Sequence, residues 1–352
     1  MRYAVFLFGM KISDYDYHLP EGLIAQEPLV KREASRMMVV DRQSGSISDQ
    51  MFADLPCRLS PRDVLVLNNT KVFPARLLGR SETGANVEVF LVREHDNLVW
   101  EALTRPARRL PSGKRVMFSN ELSAEVIERL SDGKTILRFQ TSANFDEVLE
   151  RIGRTPLPPY IKRGDSLPDN DKTRYQTVFA RERGSIAAPT AGLHFTNDVI
   201  ADIRNLGVEL VEITLHVGYG TFEPVRVEDL AEHRVSPENY EIDEISADIL
   251  NRAVAEDRRI VAVGTTTTRA LESSFGENGR FVAGCAAANL TITPGYKFRS
   301  VNALLTNFHL PKSSLLILVS TFAGRELIIR AYEHAVASGY RFYSYGDCMF
   351  II

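Results

Sequence analysis

The stretch from Thr196 to Val217 passes from a helical to a strand-like spacing of apolar residues. Its first half is apolar at intervals of three and four positions, which predicts one buried face of a helix; the positions are Val199, Ile200, Ile203 and Leu206. Thr196 is a preferred helix N-cap and Gly207 a preferred helix stop. From Val211 onward apolar and polar residues alternate, which predicts a half-buried strand. The pattern therefore predicts a helix–strand unit that runs into a Gly-Tyr-Gly turn.

Residues 75–149 carry a different pattern, in which short alternating runs are separated by turn sequences. The runs are ARLLGR, NVEVFLVRE, LVWEALT, KRVMFS, LSAEVIER and KTILRFQ, and the turns are ETGA, HDN, RRLPSG and SDG. Six strands at this spacing predict a small antiparallel barrel or sandwich. We expect an inserted β-barrel-like domain at residues 75–149, within a discontinuous α/β body formed by residues 1–74 and 150–352.

The rest of the chain alternates strand-like with helix-like segments, which predicts an α/β/α body around a parallel or mixed sheet. In chain order the predicted elements are an amphipathic helix around residues 249–254, an apolar strand at 260–264, a helix from about Thr267, a fully buried segment at 315–319, an amphipathic helix at 326–338 and a final strand at 341–346. Residues 155–172 hold four prolines and little periodicity, so we expect an irregular connection there.

Composition limits the class of protein. The 352 residues are 44% hydrophobic and 25% charged, which is typical of a soluble globular protein. A formal net charge of −3 excludes a uniformly basic coat for nucleic acid, so any RNA contact needs a local basic patch. Three cysteines without a C-x-x-C pair argue against a disulfide scaffold or a thiolate zinc site. The apolar run in MRYAVFLFGM is too short to span a bilayer, so we expect a cytoplasmic protein without membrane association.

Two histidines stand at the ends of the helix–strand unit. His194 precedes the helix and His216 lies near the carboxyl end of the strand, and such edges are where open α/β sheets bind ligands. Imidazoles titrate near neutrality, so either ring suits general acid or general base chemistry. The pattern leaves open which histidine would take which role.

Two further junctions carry polar side chains. GTTTTRALE, residues 264–272, is a strand–turn–helix junction whose first N–H groups can bind an anion and whose Arg269 can pair with a carboxylate or phosphate. TNFHLPKSS, residues 306–314, places Asn307 and His309 before an apolar run, with Pro311 suited to the first helical position. Each junction can also be only a capped helix start with a structural histidine nearby.

A basic run lies within the predicted barrel. TRPARRLPSGKRV, residues 104–116, contains five cations and no acid: Arg105, Arg108, Arg109, Lys114 and Arg115. Such a run is either a solvated face or a patch that follows RNA phosphates. The spacing of the histidines matches no H-E-x-x-H pair, so we expect no metal site.

Nine segments resemble the S-adenosylmethionine:tRNA ribosyltransferase-isomerase family of queuosine biosynthesis. TAGLHFT and TLHVGYGTF are similar to its signature segments. The other blocks are KISDYDYHLPEGLIAQEP, SRMMVVDR, DVLVLNNTKVFPARLLG, RYQTVFA, VGTTTTRALES, LLTNFHLPKSSLLILVSTFAG and YRFYSYGD, and they keep the family's order from about Lys11 to the C-terminus. The resemblance implies an α/β body with a β-barrel insert.

The resemblance also implies a reaction. S-adenosylmethionine would be a co-substrate, with no tightly bound cofactor. Its ribosyl group would pass to 7-aminomethyl-7-deazaguanine at the wobble position of a tRNA, giving epoxyqueuosine-tRNA, adenine and methionine. The implied partners are tRNA and S-adenosylmethionine, and a monomer is expected by analogy.

On this resemblance we expect His194 and His216 to be the catalytic residues. The expected substrate-binding residues are Thr190, Phe195, Thr196, Gly218, Gly220, Thr221, Phe222, Thr266, Thr267, Arg269, Asn307 and His309. The expected tRNA-binding residues are the five cations of the basic run. The aromatic side chains would stack on adenine or face the sulfonium, with plain core packing as the alternative.

The chain departs from the family pattern in three places. Asn69 and Lys71 stand where the family has Asp and Arg, VSPE at residues 235–238 stands where it has Met-His-Ser-Glu, and Asn302 stands where it has Asp. Two alternatives therefore stay open. One is an RNA-binding homologue with lost or altered activity, and the other is an S-adenosylmethionine-using enzyme that acts on a free nucleoside.

Overall fold

The computed structural model describes residues 11–107, 110–163, 170–218, 220 and 225–352. The strands are β1 (Arg36–Val40), β2 (Ile47–Met51), β3 (Val64–Asn68), β4 (Thr70–Val72), β5 (Arg76–Ser81), β6 (Asn86–Asp96), β7 (Val99–Arg105), β8 (Arg115–Met117), β9 (Leu122–Arg129), β10 (Thr135–Thr141), β11 (Glu182–Ser185), β12 (Glu209–Leu215), β13 (Glu238–Ile242), β14 (Ile260–Val263), β15 (Gly284–Ala288), β16 (Ala303–Asn307) and β17 (Cys348–Ile351). The α-helices are α1 (Phe145–Ile152), α2 (Asp171–Arg174), α3 (Asn197–Asn205), α4 (Glu244–Ala255), α5 (Thr265–Ser274), α6 (Ser314–Ala323) and α7 (Arg325–Ala337). Short 3-10 helices include Phe52–Arg58 and Thr190–His194.

A nine-stranded mixed sheet forms the centre of the body within the described residues, in the order β15-β13-β12-β3-β14-β16-β17-β1-β2. Strands β12, β3, β14 and β16 are parallel neighbours, and β1 is parallel to β17. The remaining neighbours pair antiparallel. The predicted α/β body with a mixed sheet is confirmed.

The central strands are apolar at almost every position because both faces of the sheet are covered. Successive side chains of a strand point to opposite faces. In β3, Val64 and Val66 enter one core, whereas Leu65 enters the core on the other face. Helices α5 and α6 pack on the first core and α3 packs on the second. The carboxyl ends of the parallel strands therefore meet at one edge between these layers.

The six predicted runs form a closed antiparallel barrel in the order β10-β7-β6-β5-β8-β9. Buried apolar residues alternate with more exposed ones, as in β9, where Ala124 and Val126 are buried. Strands β5 and β8 approach so closely that a Cβ at Gly79 would lie 2.7 Å from the Val116 side chain. The barrel is confirmed, whereas the domain boundaries at residues 75–149 stay a prediction.

The predicted helix–strand unit is also confirmed. Helix α3 begins after Thr196, whose Oγ1 accepts the backbone N–H of Val199 at 3.2 Å. Strand β12 follows, with Val211, Ile213 and Leu215 buried. Hydrophobic spacing is a reliable guide here because the helix and the strand each have one face against the core.

The prediction that Pro311 begins the next helix is wrong. Helix α6 begins at Ser314, and Ser313 is its N-cap, with Oγ accepting the Leu316 N–H at 3.2 Å. Pro311 lies in the turn before the cap, followed by Lys312 at a positive φ of 55°. A serine hydroxyl can satisfy a free N–H group of the first turn, which proline cannot do.

The prediction of a final strand at residues 341–346 is wrong as well. The segment forms turns, and the last strand is β17. The Asp347 carboxylate accepts the backbone N–H groups of Arg36 and Arg341 at 2.9 and 2.8 Å. The Tyr343 N–H donates to the Phe308 carbonyl at 3.1 Å. Phe342 pairs with Ile24 only as an isolated bridge, so the segment has no neighbouring strand, although its aromatic spacing resembles one.

The described helices are short, and α7 has 13 residues. No helix in the described ranges is both long and apolar enough to cross a membrane. The three cysteines are free thiols, with Cys57 and Cys285 exposed and Cys348 buried.

Glu272 near the end of α5 holds the segment that leads into β16. Its side chain is buried, and Oε1 accepts the N–H groups of Ser300 and Val301 at 2.9 and 3.0 Å. Oε2 accepts the Tyr296 hydroxyl at 2.7 Å. Several donors thus depend on one carboxylate that water does not readily replace.

Replacing Glu272 with Ala should lower the free energy of unfolding by about 3–5 kcal/mol, because buried donors lose their common acceptor. Urea unfolding followed by circular dichroism measures the change. Glu277→Ala is the control, since Glu277 is exposed in the turn after α5 and its loss should cost less than about 0.5 kcal/mol. Equal effects of the two substitutions would contradict the role given to Glu272.

Candidate active site

A cavity of about 430 Å³ opens at the carboxyl edge of the sheet. Its walls come from the start of α5, the loop between β16 and α6, the start of the short helix at residues 190–194 and the turns before β17. Small-molecule sites usually measure about 300–1,000 Å³. Cavity size and position at the sheet edge both fit a ligand site of an α/β protein.

The start of α5 forms one wall. Gly264 has a φ of +97°, a conformation that glycine adopts easily, and it turns the chain from β14 into α5. Thr265 and Thr266 follow and line the cavity, so the first free N–H groups of the helix lie beside it. Thr267 instead donates its hydroxyl to the Val263 carbonyl at 2.7 Å and does not line the cavity. The helix start is therefore suited to bind an anion.

His309 is the histidine that lines the cavity. Its Nε2 lies 2.9 Å from Thr306 Oγ1, and the Thr306 hydroxyl donates to the Asn307 carbonyl at 3.4 Å. The Thr306 hydroxyl therefore holds the ring of His309 at the wall of the cavity. The His309 backbone is fixed by the hydroxyls of Tyr332 and Tyr17, at 3.0 and 2.5 Å. Burial lowers the pKa of His309 to about 3, so the ring is neutral at physiological pH.

His194 lies behind Asn307 and does not line the cavity. Its Nδ1 is 2.7 Å from Ser35 Oγ, and its Nε2 is 3.2 Å from Asn307 Oδ1. Asn307 Nδ2 donates to the Tyr343 carbonyl at 2.9 Å, which makes Oδ1 the atom that faces His194. Burial lowers the pKa of His194 to about 4. A neutral imidazole thus orients the amide of Asn307, which does line the cavity.

His216 lies directly after β12 and does not line the cavity either, whereas the next residue, Val217, does. Its Nδ1 is 2.8 Å from Thr70 Oγ1, and its ring packs so closely on Gly184 that a Cβ there would approach it to 2.7 Å. Burial lowers the pKa of His216. The structure therefore does not place His194 and His216 together on a cavity wall.

Arg269, a predicted substrate-binding residue, is held by other groups of the protein and lines a small recess with Thr265 and Thr266. It is buried, and its Nη1 donates to Glu238 Oε2 at 2.5 Å. Its Nη2 donates to the Ala288 and Ser236 carbonyls at 2.9 and 3.2 Å. Glu238 Oε1 accepts the N–H of Gly218 at 3.0 Å. The guanidinium is committed to the protein, so it joins α5 to the turn after β12 and leaves no fork for a substrate anion.

The remaining predicted residues that the structure describes separate into two groups. Thr190 lines the cavity, and Gly220 lies in a small recess beside Thr265 and Thr266. Phe195 is fully buried against Phe52, with ring centroids 5.0 Å apart, and the Thr196 hydroxyl caps α3, so these two support the fold. Stacking of Phe195 on a substrate is excluded by that burial. Thr221, Phe222, Arg108 and Arg109 lie outside the described residues.

Two aromatic side chains that the sequence did not single out line the cavity, those of Tyr160 and Tyr343, and the Phe308 side chain is buried in the core beneath it. The rings of Tyr160 and Tyr343 have centroids 3.9 Å apart. Phe308 and Tyr343 stand in motifs that the sequence analysis identified, but Tyr160 lies in the proline-rich connection without periodicity. No local pattern marks Tyr160, because only folding brings it to the sheet edge.

Two of the departures from the family pattern have structural roles outside the cavity. Asn69 Oδ1 accepts the Thr214 hydroxyl at 2.7 Å, and Asn302 Oδ1 accepts the Ile260 N–H at 2.8 Å. An aspartate oxygen would accept the same bonds. The third departure puts Ser236 near Arg269, to which it offers its carbonyl. Asn69, Asn302 and Ser236 do not line the cavity.

Arg105, Lys114 and Arg115 are the members of the basic run that the structure describes, and they make different contacts. Arg105 is exposed and lines a separate groove between barrel and body. Lys114 pairs with Glu82 at 3.1 Å, and Arg115 is exposed on β8. No group of three or more His, Cys, Asp or Glu side chains in the described part of the chain is arranged to hold a metal ion.

The two buried neutral histidines make stability depend on pH. His194 and His309 take up a proton near pH 6.5 in the unfolded chain, but only at about 4 and about 3 when folded. Their contribution is complete above pH 6.5 and is lost as the pH falls towards the folded values. Urea unfolding between pH 7.5 and 5.5 should show stability falling with acid, and less steeply in His309→Asn. Parallel profiles for both proteins would contradict this.

Three comparisons with known proteins agree. A sequence profile described as queuosine biosynthesis protein matches residues 12–351. An S-adenosylmethionine:tRNA ribosyltransferase-isomerase of Syntrophotalea carbinolica is 50% identical over 345 residues, which are 97% of this chain and 100% of that protein. A protein of the same name from Desulfitobacterium hafniense is 49% identical with the same coverage.

The fold is similar to a solved structure as well. The crystal structure of an S-adenosylmethionine tRNA ribosyltransferase from Thermotoga maritima matches 97% of this chain and 100% of that chain, at 34% identity and a TM-score of 0.56. Both the sequence and the architecture are thus matched over nearly the whole length. The chain belongs to the queuosine biosynthesis protein family.

Proposed function

We propose that this chain is an S-adenosylmethionine:tRNA ribosyltransferase-isomerase. It transfers and isomerises the ribosyl group of S-adenosylmethionine onto 7-aminomethyl-7-deazaguanine in tRNA, giving epoxyqueuosine-tRNA, adenine and methionine. The observation that carries the proposal is the cavity at the sheet edge, with a free helix start and a neutral histidine, in a chain 50% identical to an enzyme of that name over 97% of its length. We expect a cytoplasmic monomer with S-adenosylmethionine as a co-substrate.

The helix start suits the methionine carboxylate of S-adenosylmethionine. The first N–H groups of α5 lie beside Thr265 and Thr266 at the cavity wall. An anion at a helix N-terminus is stabilised by about 0.3–1 kcal/mol at exposed sites and more in partly buried ones. Since Arg269 is paired with Glu238, the carboxylate would be bound by the backbone N–H groups at the start of α5.

The aromatic wall suits the sulfonium and the adenine. Tyr160 and Tyr343 line the cavity with their ring centroids 3.9 Å apart, whereas the Phe308 side chain is fully buried in the core beneath it. A cation over an aromatic face is stabilised by about 2 kcal/mol when both are desolvated. Asn307 adds one amide whose orientation is set by His194.

His309 suits the proton transfer that the reaction requires. The sulfonium acidifies the ribose C5′–H, and His309 is a neutral imidazole in the cavity wall that can accept that proton. A positioned base contributes about 100- to 10,000-fold. The electron pair left at C5′ forms a bond to C1′, while C1′ loses adenine and the ring oxygen, each with its bonding pair, and gains the acceptor amine. Adenine takes up the proton that the amine loses, and the ring oxygen bonds C5′ to close the epoxide as methionine leaves with the pair of the C5′–S bond. In this assignment His194 is a positioning residue that acts through Asn307, and His216 stays outside the cavity.

The purified chain should release adenine from S-adenosylmethionine only when tRNA carrying the 7-deazaguanine precursor is present. Chromatography of a reaction with adenine-labelled S-adenosylmethionine measures the release, and tRNA with an ordinary guanine at that position is the control. Release without RNA would favour an enzyme acting on a free nucleoside. Binding of both substrates without release would favour a homologue that has lost the activity.

His309→Gln should lower kcat by at least about 100-fold with little change in KM for S-adenosylmethionine, because glutamine keeps a polar group but cannot serve as the base. His194→Gln should have a smaller effect, since it only loosens Asn307. His334→Gln is the control, because His334 is exposed on α7 and pairs with Asp49. Initial rates at saturating tRNA measure all three.

Solvent exchange separates a base from a residue that only supports the fold. In deuterated water the wild type should exchange deuterium into C5′ of unreacted S-adenosylmethionine, because the base can return a solvent deuteron to that carbon, and His309→Gln should lose this exchange. Normal exchange in a correctly folded His309→Gln variant would transfer the role of base to another residue.

A further inference from the structure

Two adjoining spaces that share wall residues form a groove from the barrel surface towards the cavity. Its outer part, the outer groove, has a volume of about 990 Å³ and lies on strands β5, β6 and β8. Its deeper part, the inner pocket, has a volume of about 300 Å³ and lies between the barrel and residues 156–163. Arg76, Glu88 and Arg105 line both parts. Pro159 lines both the inner pocket and the cavity, so the three spaces follow one another.

The outer groove carries cations that the protein does not neutralise. Arg76 is bound to Glu88 through two hydrogen bonds of 2.9 and 3.0 Å. Arg80 and Arg105 are exposed, and neither forms an ion pair with any residue that the structure describes. Three arginines and one glutamate line the outer groove, so it is a local positive site on a chain with a net charge of −3. Such a site attracts phosphate groups.

The same groove exposes apolar side chains between its cations. Leu78 is 40% exposed and Met117 52% exposed, and both line the groove together with Phe118. Apolar and aromatic surfaces alternating with cations are typical of sites for single-stranded nucleic acid, where bases lie on the former and phosphates on the latter. A folded protein that bound the outer groove would have no need of the inner pocket, so the two spaces together favour a nucleic acid.

We propose that the single-stranded anticodon loop of the tRNA, which carries the target base, lies in the outer groove and inserts that base into the inner pocket beside Pro159. The inference rests on the proposed function and locates its RNA substrate. Proteins read RNA loops by splaying out single bases, and enzymes that modify a base take it into a pocket. A volume of about 300 Å³ suits one base, while the cavity on the other side of Pro159 takes S-adenosylmethionine. The sequence alone does not indicate this path, because Arg105 is the one described member of the five-cation run that lines it and no described histidine does.

The double variant Arg80→Gln/Arg105→Gln tests the outer groove. We expect weaker tRNA binding and a salt dependence of log K that is flatter by about 0.7–0.9 per lost phosphate contact. The matched control is Arg93→Gln/Arg138→Gln, which removes two exposed cations from β6 and β10 of the same barrel outside the groove. Filter binding at several salt concentrations measures both. Equal slopes for groove variant, control and wild type would overturn the proposal.

Leu103→Trp tests the inner pocket, because Leu103 lines it from the barrel side. A larger side chain should block the base, so tRNA-dependent adenine release should fall by at least about tenfold while binding of S-adenosylmethionine alone is unchanged. Leu157→Trp fills the same pocket from the opposite wall and replaces the first variant if that one does not fold. Wild-type rates in a folded variant whose pocket is filled would overturn the insertion of the base.

The two proposals fail in different ways. If the wild type releases no adenine with precursor tRNA, the proposed function is wrong. If the wild type is active and the groove and pocket variants match it in binding and rate, the function stands and this path for the RNA is wrong.

Discussion

The parallel pairing of β3, β12, β14 and β16 is the constraint on which the candidate site depends. Parallel strands end at the same edge of a sheet, and the ends of β14 and β16 carry the Gly264 turn and Asn307. The Gly264 N–H donates to the Leu305 carbonyl at 2.8 Å, so the two ends are held in register. The position of each cavity wall is therefore set by apolar strands that are buried on both faces. A slip in this pairing would displace the helix start and His309 relative to each other.

Burial then determines the protonation state of the two histidines at the site, His194 and His309. An imidazole in water titrates near pH 6.5, and the sequence gives no reason to expect otherwise. In the structure His194 and His309 are surrounded by neutral partners, namely Ser35, Asn307 and Thr306. Desolvation without a nearby carboxylate favours the uncharged ring. One imidazole therefore orients the amide of Asn307, while the other is a neutral ring in the cavity wall.

Ion pairs within the protein determine which cationic side chains remain available to bind a substrate. Arg269 and Arg76 are each bound to a carboxylate, Glu238 and Glu88. Arg80 and Arg105 form no such pair with a described residue, and both lie in the groove that leads to the cavity. A count of basic residues along the chain cannot make this distinction, because the partners come from other strands. A weakly acidic protein can therefore still offer RNA a local positive path.

The sequence by itself determined the α/β body, the six strands of the barrel, the cap of α3 and the family. Apolar spacing reports which face of a local element is buried, and turn residues report where the element ends. It did not determine the turns at residues 341–346, where carboxylate and carbonyl contacts replace a neighbouring strand. Nor did it reveal that Phe195 is buried in the core, that Arg269 is paired with Glu238, or that Tyr160 lines the cavity. Those outcomes belong to tertiary structure, because whether a buried polar or aromatic side chain faces a cavity or a core depends on residues far away in the chain.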